Sequence, residues 1–386
     1  MTLNVAQIVF WTCTGVLAYV YVGYPLLVFL VSRFLPRQVH RDIINLKVTI
    51  LITAFNEEAA IRQKLENTLE IDYPTEKLEI IVASDGSTDK TDEIVKEFTS
   101  SGVRLFRQEG RVGKTETQNN AVFEATGDII LFSDATTEYG KDVLSRVLPP
   151  FADETVGCVA GRLVYLNDES TNVSKGAQNY WSYETFLKTA ESRACSLIGA
   201  SGCLYAVRRE AYEPMYAEAC SDFLICTILY RKGLRSVFAP DAVCYEYTNR
   251  HAGDELKMRV RVISQTFTDL WRNRDMLNPF RSGFYAIELV SHKLLRYTVP
   301  LILVTLLIAN MLLAAASPFY LATLILQSSF YVLAFGGWLI ERSGRPSGLL
   351  AMPLYFTLAN FASAVGFYKF LRGEKYARWE PIRHTR

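Results

Sequence analysis

Four consecutive apolar residues, Ile129 to Phe132, stand between Gly127-Asp128 and Ser133-Asp134-Ala135-Thr136. A short unbroken apolar run bounded by glycine and small polar residues reads as a strand buried on both faces, the pattern of a parallel sheet covered by helices. Ser133 and Asp134 then fall at its carboxyl end, where open α/β sheets place their ligands. An aspartate there suits two roles. It can hold a divalent metal against a diphosphate, or it can cap the following turn or helix.

The same pattern recurs along the chain. Lys47 to Thr53 (KVTILIT), Leu78 to Ala83 (LEIIVA) and Val103 to Arg107 are further strand patterns, and Gly127 to Phe132 is the fourth. Between the first two, Asn56 reads as the N-cap of a helix with Ile61, Leu65 and Leu69 on one face, ended by Asp72-Tyr73-Pro74. After the second, Ser87 reads as the cap of a helix with Asp89 in its first turn and Ile94, Val95 and Phe98 turned inward. Strand and helix alternate, so residues 46–275 are expected to form an α/β domain with a mainly parallel sheet.

Three loops then project from one sheet edge: Phe55–Glu57, Ser84–Ser87 and Ser133–Thr136. Gly110-Arg111-Val112-Gly113-Lys114 lies between them in sequence, with Asn119 five residues on. Acidic strand ends beside a flexible basic loop suit a nucleotide diphosphate. Lys114 taken alone is more commonly an ordinary solvated lysine; its setting favours the phosphate reading. The chain contains neither GxGxxG nor a Walker A sequence, which argues against dinucleotide oxidoreductases and P-loop NTPases.

The flanks of this domain are apolar. Half of the residues are hydrophobic and the mean hydropathy is +0.11, values high for a soluble protein. Residues 7–32 carry no charged side chain and are long enough to cross a bilayer. No basic leader segment or small-residue cleavage site precedes them, so residues 1–34 are expected to be a retained anchor. Arg33, Arg37, His40 and Arg41 follow, which places the next segment in the cytoplasm of a plasma or inner membrane. Residues 276–296, with Phe280, Phe284, Ile287, Val290 and Leu294 on one face and Arg281, Glu288, His292 and Arg296 nearby, are expected to lie in the interface. Residues 297–371 hold about three spanning stretches, near 297–316, 318–340 and 349–371, and residues 372–386 form a basic tail. Three crossings would put that basic tail outside, against the charge bias, so the sidedness of the tail stays open. The formal net charge of +1 steers the chain toward no nucleic acid. Seven cysteines without CxxC or Cys/His ligand spacing suit buried thiols in a reducing compartment rather than a zinc site.

In register, AFNEE, SDGSTDKT, GKTETQN and FSDAT resemble the inverting family 2 glycosyltransferases of GT-A fold. Among these the chain most resembles the membrane-embedded branch of cellulose, hyaluronan, chitin and poly-N-acetylglucosamine synthases, over nearly its whole length. The resemblance implies a nucleoside contact for Asp85, a diphosphate contact for Lys114, and Mg²⁺ or Mn²⁺ on Asp134. Phe55 and Glu57 belong to the same donor-binding set. The family's metal motif is D-x-D; here Thr136 stands where the second carboxylate would be, offering a hydroxyl instead.

The acceptor half follows. Val156 to Leu166 is a strand pattern, and Tyr180, Trp181, Tyr183, Glu184 and Phe186 form an aromatic run with one carboxylate, fitting either sugar stacking or helix core. Ser201 and Gly202 lie in a small-residue stretch that lets backbone approach a ligand. Asp222 matches the general base of the family's acidic motif, with Ser221 in place of the preceding acid; on residues alone, an N-cap is the commoner reading. Arg261 aligns with the arginine of the polymer synthases' QxxRW motif and is expected near the diphosphate, while Met258 and Val262 replace its glutamine and tryptophan.

The resemblance therefore implies a hexosyl- or N-acetylhexosaminyltransferase that takes a nucleotide sugar, most plausibly a UDP-sugar. The product would be a β-linked glycan, growing polysaccharide included. Transfer of one sugar to a lipid acceptor of the polyprenyl-phosphate type is the rival that Met258 and Val262 favour. A nucleotide-sugar sensor or transport component, needing Asp85 and Lys114 but not Asp222, is the rival of another class.

Overall fold

The computed structural model describes residues 2–166, 172–247, 252–343 and 347–378. Its strands are β1 Val48–Ala54, β2 Leu78–Ser84, β3 Val103–Arg107, β4 Ile129–Asp134, β5 Glu138–Tyr139, β6 Val156–Leu166, β7 Tyr205–Arg208 and β8 Arg235–Tyr247. The helices are α1 Thr2–Ala18, α2 Tyr24–Phe34, α3 Ile61–Leu69, α4 Thr91–Glu97, α5 Lys114–Glu124, α6 Val143–Val147, α7 Asn172–Ala194 and α8 Ser221–Arg231. They continue with α9 Ala252–Arg272, α10 Pro279–Ser282, α11 Phe284–Glu288, α12 Arg296–Leu313, α13 Pro318–Arg342 and α14 Ala351–Leu371. Two compact units emerge. One takes in residues 1–30, 167–184 and 249–374; the other takes in 31–166, 185–248 and 375–386.

The second unit is built on one sheet in the order β3-β2-β1-β4-β7-β6-β8-β5. β1, β2, β3 and β4 run parallel. β7 is antiparallel to both β4 and β6, β6 and β8 are parallel, and β5 closes the edge antiparallel to β8. All seven residues of β1 are buried, as a strand of β-branched and aliphatic residues covered on both faces must be. The chain steps from β1 to β2 on one side and reaches β4 on the other, so the topological switch point lies between β1 and β4. Asp134 sits there, level with Thr53.

The expected strands are thus present, with a shift of a residue or two at their ends. The capping expectations are corrected. Asn56 is not a helix cap: α3 begins only at Ile61, and Asn56 adopts φ +54°. Its carboxamide accepts the backbone N–H of Thr88 at 2.7 Å and of Asp89 at 3.3 Å, tying the first loop to the second. Asp89, rather than Ser87, accepts the Thr91 N–H at the start of α4.

In the other unit, α1 packs Ala6 and Phe10 against Ala309, Leu313 and Tyr320. The apolar stripe of α9, Val260, Ile263 and Phe267, packs on Ala362, Phe367 and Phe370 of α14. That stripe explains why α9 groups with α14 rather than with the sheet. Four helical stretches, Leu3–Phe34, Phe284–Leu313, Pro318–Arg342 and Gly348–Leu371, are long and apolar enough to cross a membrane. The segment expected to lie separately at 276–296 is divided instead. Gly283, at φ +56°, ends α10, and residues from Phe284 onward run continuously into α12. The polar groups of this stretch are met inside the unit: Glu184 of α7 is ion-paired with Arg296 at 2.5 Å and with His292 at 3.3 Å.

Candidate active site

Three loops at the carboxyl edge of the sheet are held by backbone-directed polar contacts. The Asn56 N–H donates to the Ser87 hydroxyl at 3.1 Å, and the Glu57 N–H to the Thr91 hydroxyl at 2.7 Å. Phe55 presents its ring 3.8 Å from the Arg111 guanidinium, a cation–π contact linking the first loop to the basic one. Gly86 lies at φ +69°, and a Cβ there would stand 2.5 Å from the Gly110 carbonyl oxygen, so the second and fourth loops approach at a distance that only glycine allows.

Asp85 is fully buried and acts on that fourth loop. Its carboxylate accepts the Val112 N–H at 2.7 Å, the Gly113 N–H at 3.0 Å and the Thr117 hydroxyl at 3.0 Å. These contacts make Asp85 a positioning residue for the segment that delivers Lys114. Asn119 differs from expectation. It pins the segment after β7, donating to the Met215 carbonyl at 2.6 Å and accepting from the Tyr212 hydroxyl at 2.8 Å.

Lys114 opens α5, and its ammonium is ion-paired with the Asp134 carboxylate. Asp222 is the second residue of α8, two places past the cap position taken by Cys220, so it is not the cap. The Cys220 thiol donates to its carboxylate at 3.1 Å. These three charged groups converge on Gly202. A Cβ at Gly202 would lie 3.4 Å from an Asp222 oxygen, 3.4 Å from the Lys114 nitrogen and 3.7 Å from an Asp134 oxygen. The Gly202 loop is fixed by the Ala200 N–H on the Asp222 carbonyl at 2.9 Å and by Lys188, which donates to the Ser201 hydroxyl at 2.7 Å.

Several participants had no motif to announce them. Thr136 donates its hydroxyl to Glu246 of β8 at 2.9 Å, which leaves the oxygen lone pairs open. Residues after α14 belong to this unit: Lys375 is ion-paired with Glu218 at 2.8 Å, and the Ala377 carbonyl lies 2.0 Å from where a Gly113 Cβ would be. Gly113, at φ +104°, is therefore required twice over. Lys64 of α3 is buried beneath the Asp134–Thr137 turn; a lysine inside the stripe formed by Ile61, Leu65 and Thr68 was a signal available in the sequence.

Arg261 lies on α9 and Glu184 on α7, both in the other unit. Burial pushes the Glu184 carboxyl up, but Arg296 and His292 outweigh it and hold the group well below the usual range. Trp181 is on α7, with its side chain outside the described residues.

A divalent cation at this edge would find the Asp134 carboxylate, with Glu246 held on Thr136 beside it. Among the described residues no group of three or more His, Cys, Asp or Glu side chains is arranged to hold a metal. Such a donor set fits Mg²⁺ or Mn²⁺ kept mostly in diphosphate oxygens and water.

Residues 49–215 match the glycosyl transferase family 2 model. The chain carries a family 2 glycosyltransferase domain. Asp222, outside the matched stretch, sits seven residues beyond its end. The domain's relatives include the probable glycosyltransferase YdaM of Bacillus subtilis, 29% identical over 211 residues, 52% of this chain and 50% of that protein. An N-acetylglucosaminyltransferase of Rhizobium meliloti is 26% identical over 295 residues, 72% of this chain and 68% of that one. The chain spans about half the length of most curated relatives it matches. A mannosyltransferase of Pyrobaculum calidifontis, solved with GDP-mannose and Mn²⁺, shares the fold at a TM-score of 0.72 and 24% identity, covering 95% of this chain and 100% of that one.

Proposed function

We propose that this glycosyltransferase domain moves a sugar from a nucleoside-diphosphate donor to a glycan or lipid-linked acceptor at the membrane, with inversion to a β-linkage. The convergence of Asp134, Lys114 and Asp222 on Gly202 carries the reading. Asp222 is positioned to take the proton of an acceptor hydroxyl as that oxygen attacks the anomeric carbon. Lys114, released from Asp134, neutralises charge on the departing diphosphate. Gly202 leaves room between base and diphosphate for a sugar ring. A bound Mg²⁺ or Mn²⁺ would hold the diphosphate on Asp134 and offset its developing charge.

The same reading puts the sheet unit and the tail on the cytoplasmic side. Arg33, Arg37 and Arg41 after the anchor, and Lys369, Arg372 and Lys375 near the tail, support one side for both. The pairing of Lys375 with Glu218 supports it independently and requires an even number of crossings between residues 249 and 374. The charged helix α9 packed along α14 supports α14 as the helix that stays at the interface. Met258 and Val262, in place of the glutamine and tryptophan of the polymer synthases, favour single transfer to a lipid over processive synthesis.

The test is release of nucleoside diphosphate by membranes carrying the full chain, screened over UDP- and GDP-sugars with Mg²⁺ or Mn²⁺. Release by the native chain that Asp222→Asn abolishes is the expected result. No release with any donor, alongside retained nucleotide binding, would favour the sensor. A ladder of chain lengths, rather than one glycolipid, would overturn single transfer.

A further inference from the structure

The two carboxylate oxygens of Asp222 have different surroundings. Oδ2 faces the Gly202 loop, 3.4 Å from where a Gly202 Cβ would be, the same point that the Lys114 ammonium approaches at 3.4 Å. Oδ1 accepts the Cys220 thiol at 3.1 Å. Cys220 holds the cap position of α8, where Ser, Thr, Asp or Asn ordinarily receives a helix N–H on its side chain. The Cys220 side chain caps none of them, and its thiol is turned to the carboxylate instead. The segment that carries this thiol is fixed from the donor side of the site. Thr115, the residue after Lys114, donates its hydroxyl to the Ala219 carbonyl at 2.8 Å, and both residues are buried. The Ala200 N–H meanwhile holds the backbone carbonyl of Asp222 at 2.9 Å. The backbone of Asp222 is thus set by the Gly202 loop and its side chain by Cys220, which Thr115 ties to the start of α5.

Resting on the transfer reading above, we infer that Cys220 is a positioning residue for the base: its thiol holds Oδ1, so that Oδ2 is the oxygen presented to the acceptor hydroxyl. The terminal torsion of an aspartate is broad and only loosely fixed by the side chain itself. A carboxylate free to turn beside the Lys114 ammonium would be drawn toward it, and would meet the acceptor with neither oxygen aligned. A thiol suits the task because it is a weak donor. It sets the orientation and leaves the carboxylate able to take a proton, whereas a cationic donor in its place would compete with that proton. In the transfer the acceptor O–H bond breaks and its proton passes to Oδ2. The acceptor oxygen forms its bond to the anomeric carbon as the bond to the diphosphate breaks, and the electron pair of that bond leaves with the diphosphate. The thiol keeps its own proton throughout.

The inference is tested on the full chain in membranes, with the UDP- or GDP-sugar from which the native chain releases most nucleotide, by following release against donor concentration. Cys220→Ala removes the donor to Oδ1. It should lower kcat on the order of tenfold, with KM for the donor within about twofold of native. Cys220→Ser keeps an O–H on the same carbon and should recover most of that loss. Cys220→Val fills the space without a donor; it should behave as the alanine variant does and serves if that variant does not fold. Native kcat in the alanine and valine variants would overturn the role. So would a serine variant as slow as the valine one, or a rise in donor KM with a lower unfolding midpoint in all three, since either would make Cys220 a matter of packing. Release by the native chain that Asp222→Asn abolishes keeps the transfer reading whatever the Cys220 variants do. A native chain that releases no nucleotide with any donor removes that reading, and the role of Cys220 with it.

Discussion

The ammonium of Lys114 and the carboxylate of Asp134 are ion-paired across the switch point of the sheet, where each would otherwise face a ligand of opposite charge. The pair is partly exposed, with side chains 24% and 32% accessible, so solvent screens it and it adds little to stability. Its consequence is for binding. A diphosphate competes with Asp134 for Lys114, and a metal competes with Lys114 for Asp134. Lys114→Met should weaken UDP binding by about tenfold to a hundredfold while tightening Mn²⁺ alone, read in separate titrations. A fall in affinity for both ligands would mean that the pair orders the loop rather than tuning charge.

Asp222→Asn leaves the helix start and the Gly202 loop intact, because the Ala200 N–H is bound to the backbone carbonyl of residue 222. The carboxamide cannot accept the acceptor's proton. Turnover should fall by about a hundredfold to ten-thousandfold, with UDP affinity within about twofold of native. A variant with native turnover would remove Asp222 from the base role.

Gly86→Ala is expected to act through the fold. Its Cβ would collide with the Gly110 carbonyl at 2.5 Å, and φ +69° strains any side chain. The backbone of the Gly110–Lys114 loop cannot retreat without abandoning Asp85, so a loss of about 1–3 kcal/mol is expected, seen as a lower midpoint in thermal unfolding. Nucleotide affinity should fall with it, since the same loop delivers Lys114.

How much of this was legible in the sequence depended on whether the signal was periodic or positional. β1, β2, β3 and β4 were readable because doubly buried parallel strands are written as unbroken apolar runs. The ligand edge followed from where those runs stop, and Asp134, Lys114 and Asp222 came from residue chemistry at those stops together with the family resemblance. Asn56 misled because a polar residue five places before a helix looks like a cap, whereas its left-handed backbone turns the carboxamide to the neighbouring loop. The hold of Asp85 on the loop before Lys114 was not legible, because nothing in its spacing reveals that Val112 and Gly113 point their amides at it. Glu246 and the tail were invisible, since pairing between β8 and the Asp134–Thr137 turn, or between Ala377 and Gly113, is set by tertiary contact alone.

Lys64 supplies a pH-dependent signature of its own. Burial lowers its amine from the ordinary lysine value to about 7, against the opposing influence of Cys244, Asp134, Cys203 and Glu138. In the unfolded chain the same amine titrates near about 10.4. Between these values the unfolded state binds more protons, so stability rises with pH across that window. The contribution is complete above the unfolded value and is lost as pH falls through about 7, where the folded protein must carry a buried ammonium. Lys64→Met removes this linkage. Its stability relative to the native chain should therefore be better at about pH 6.5 than at about pH 9.5, read from unfolding midpoints of the two proteins at both values. A difference between variant and native chain that does not change with pH would show that the amine keeps its ordinary affinity for protons, and that the pocket of Thr137 and Tyr139 solvates it as well as water does.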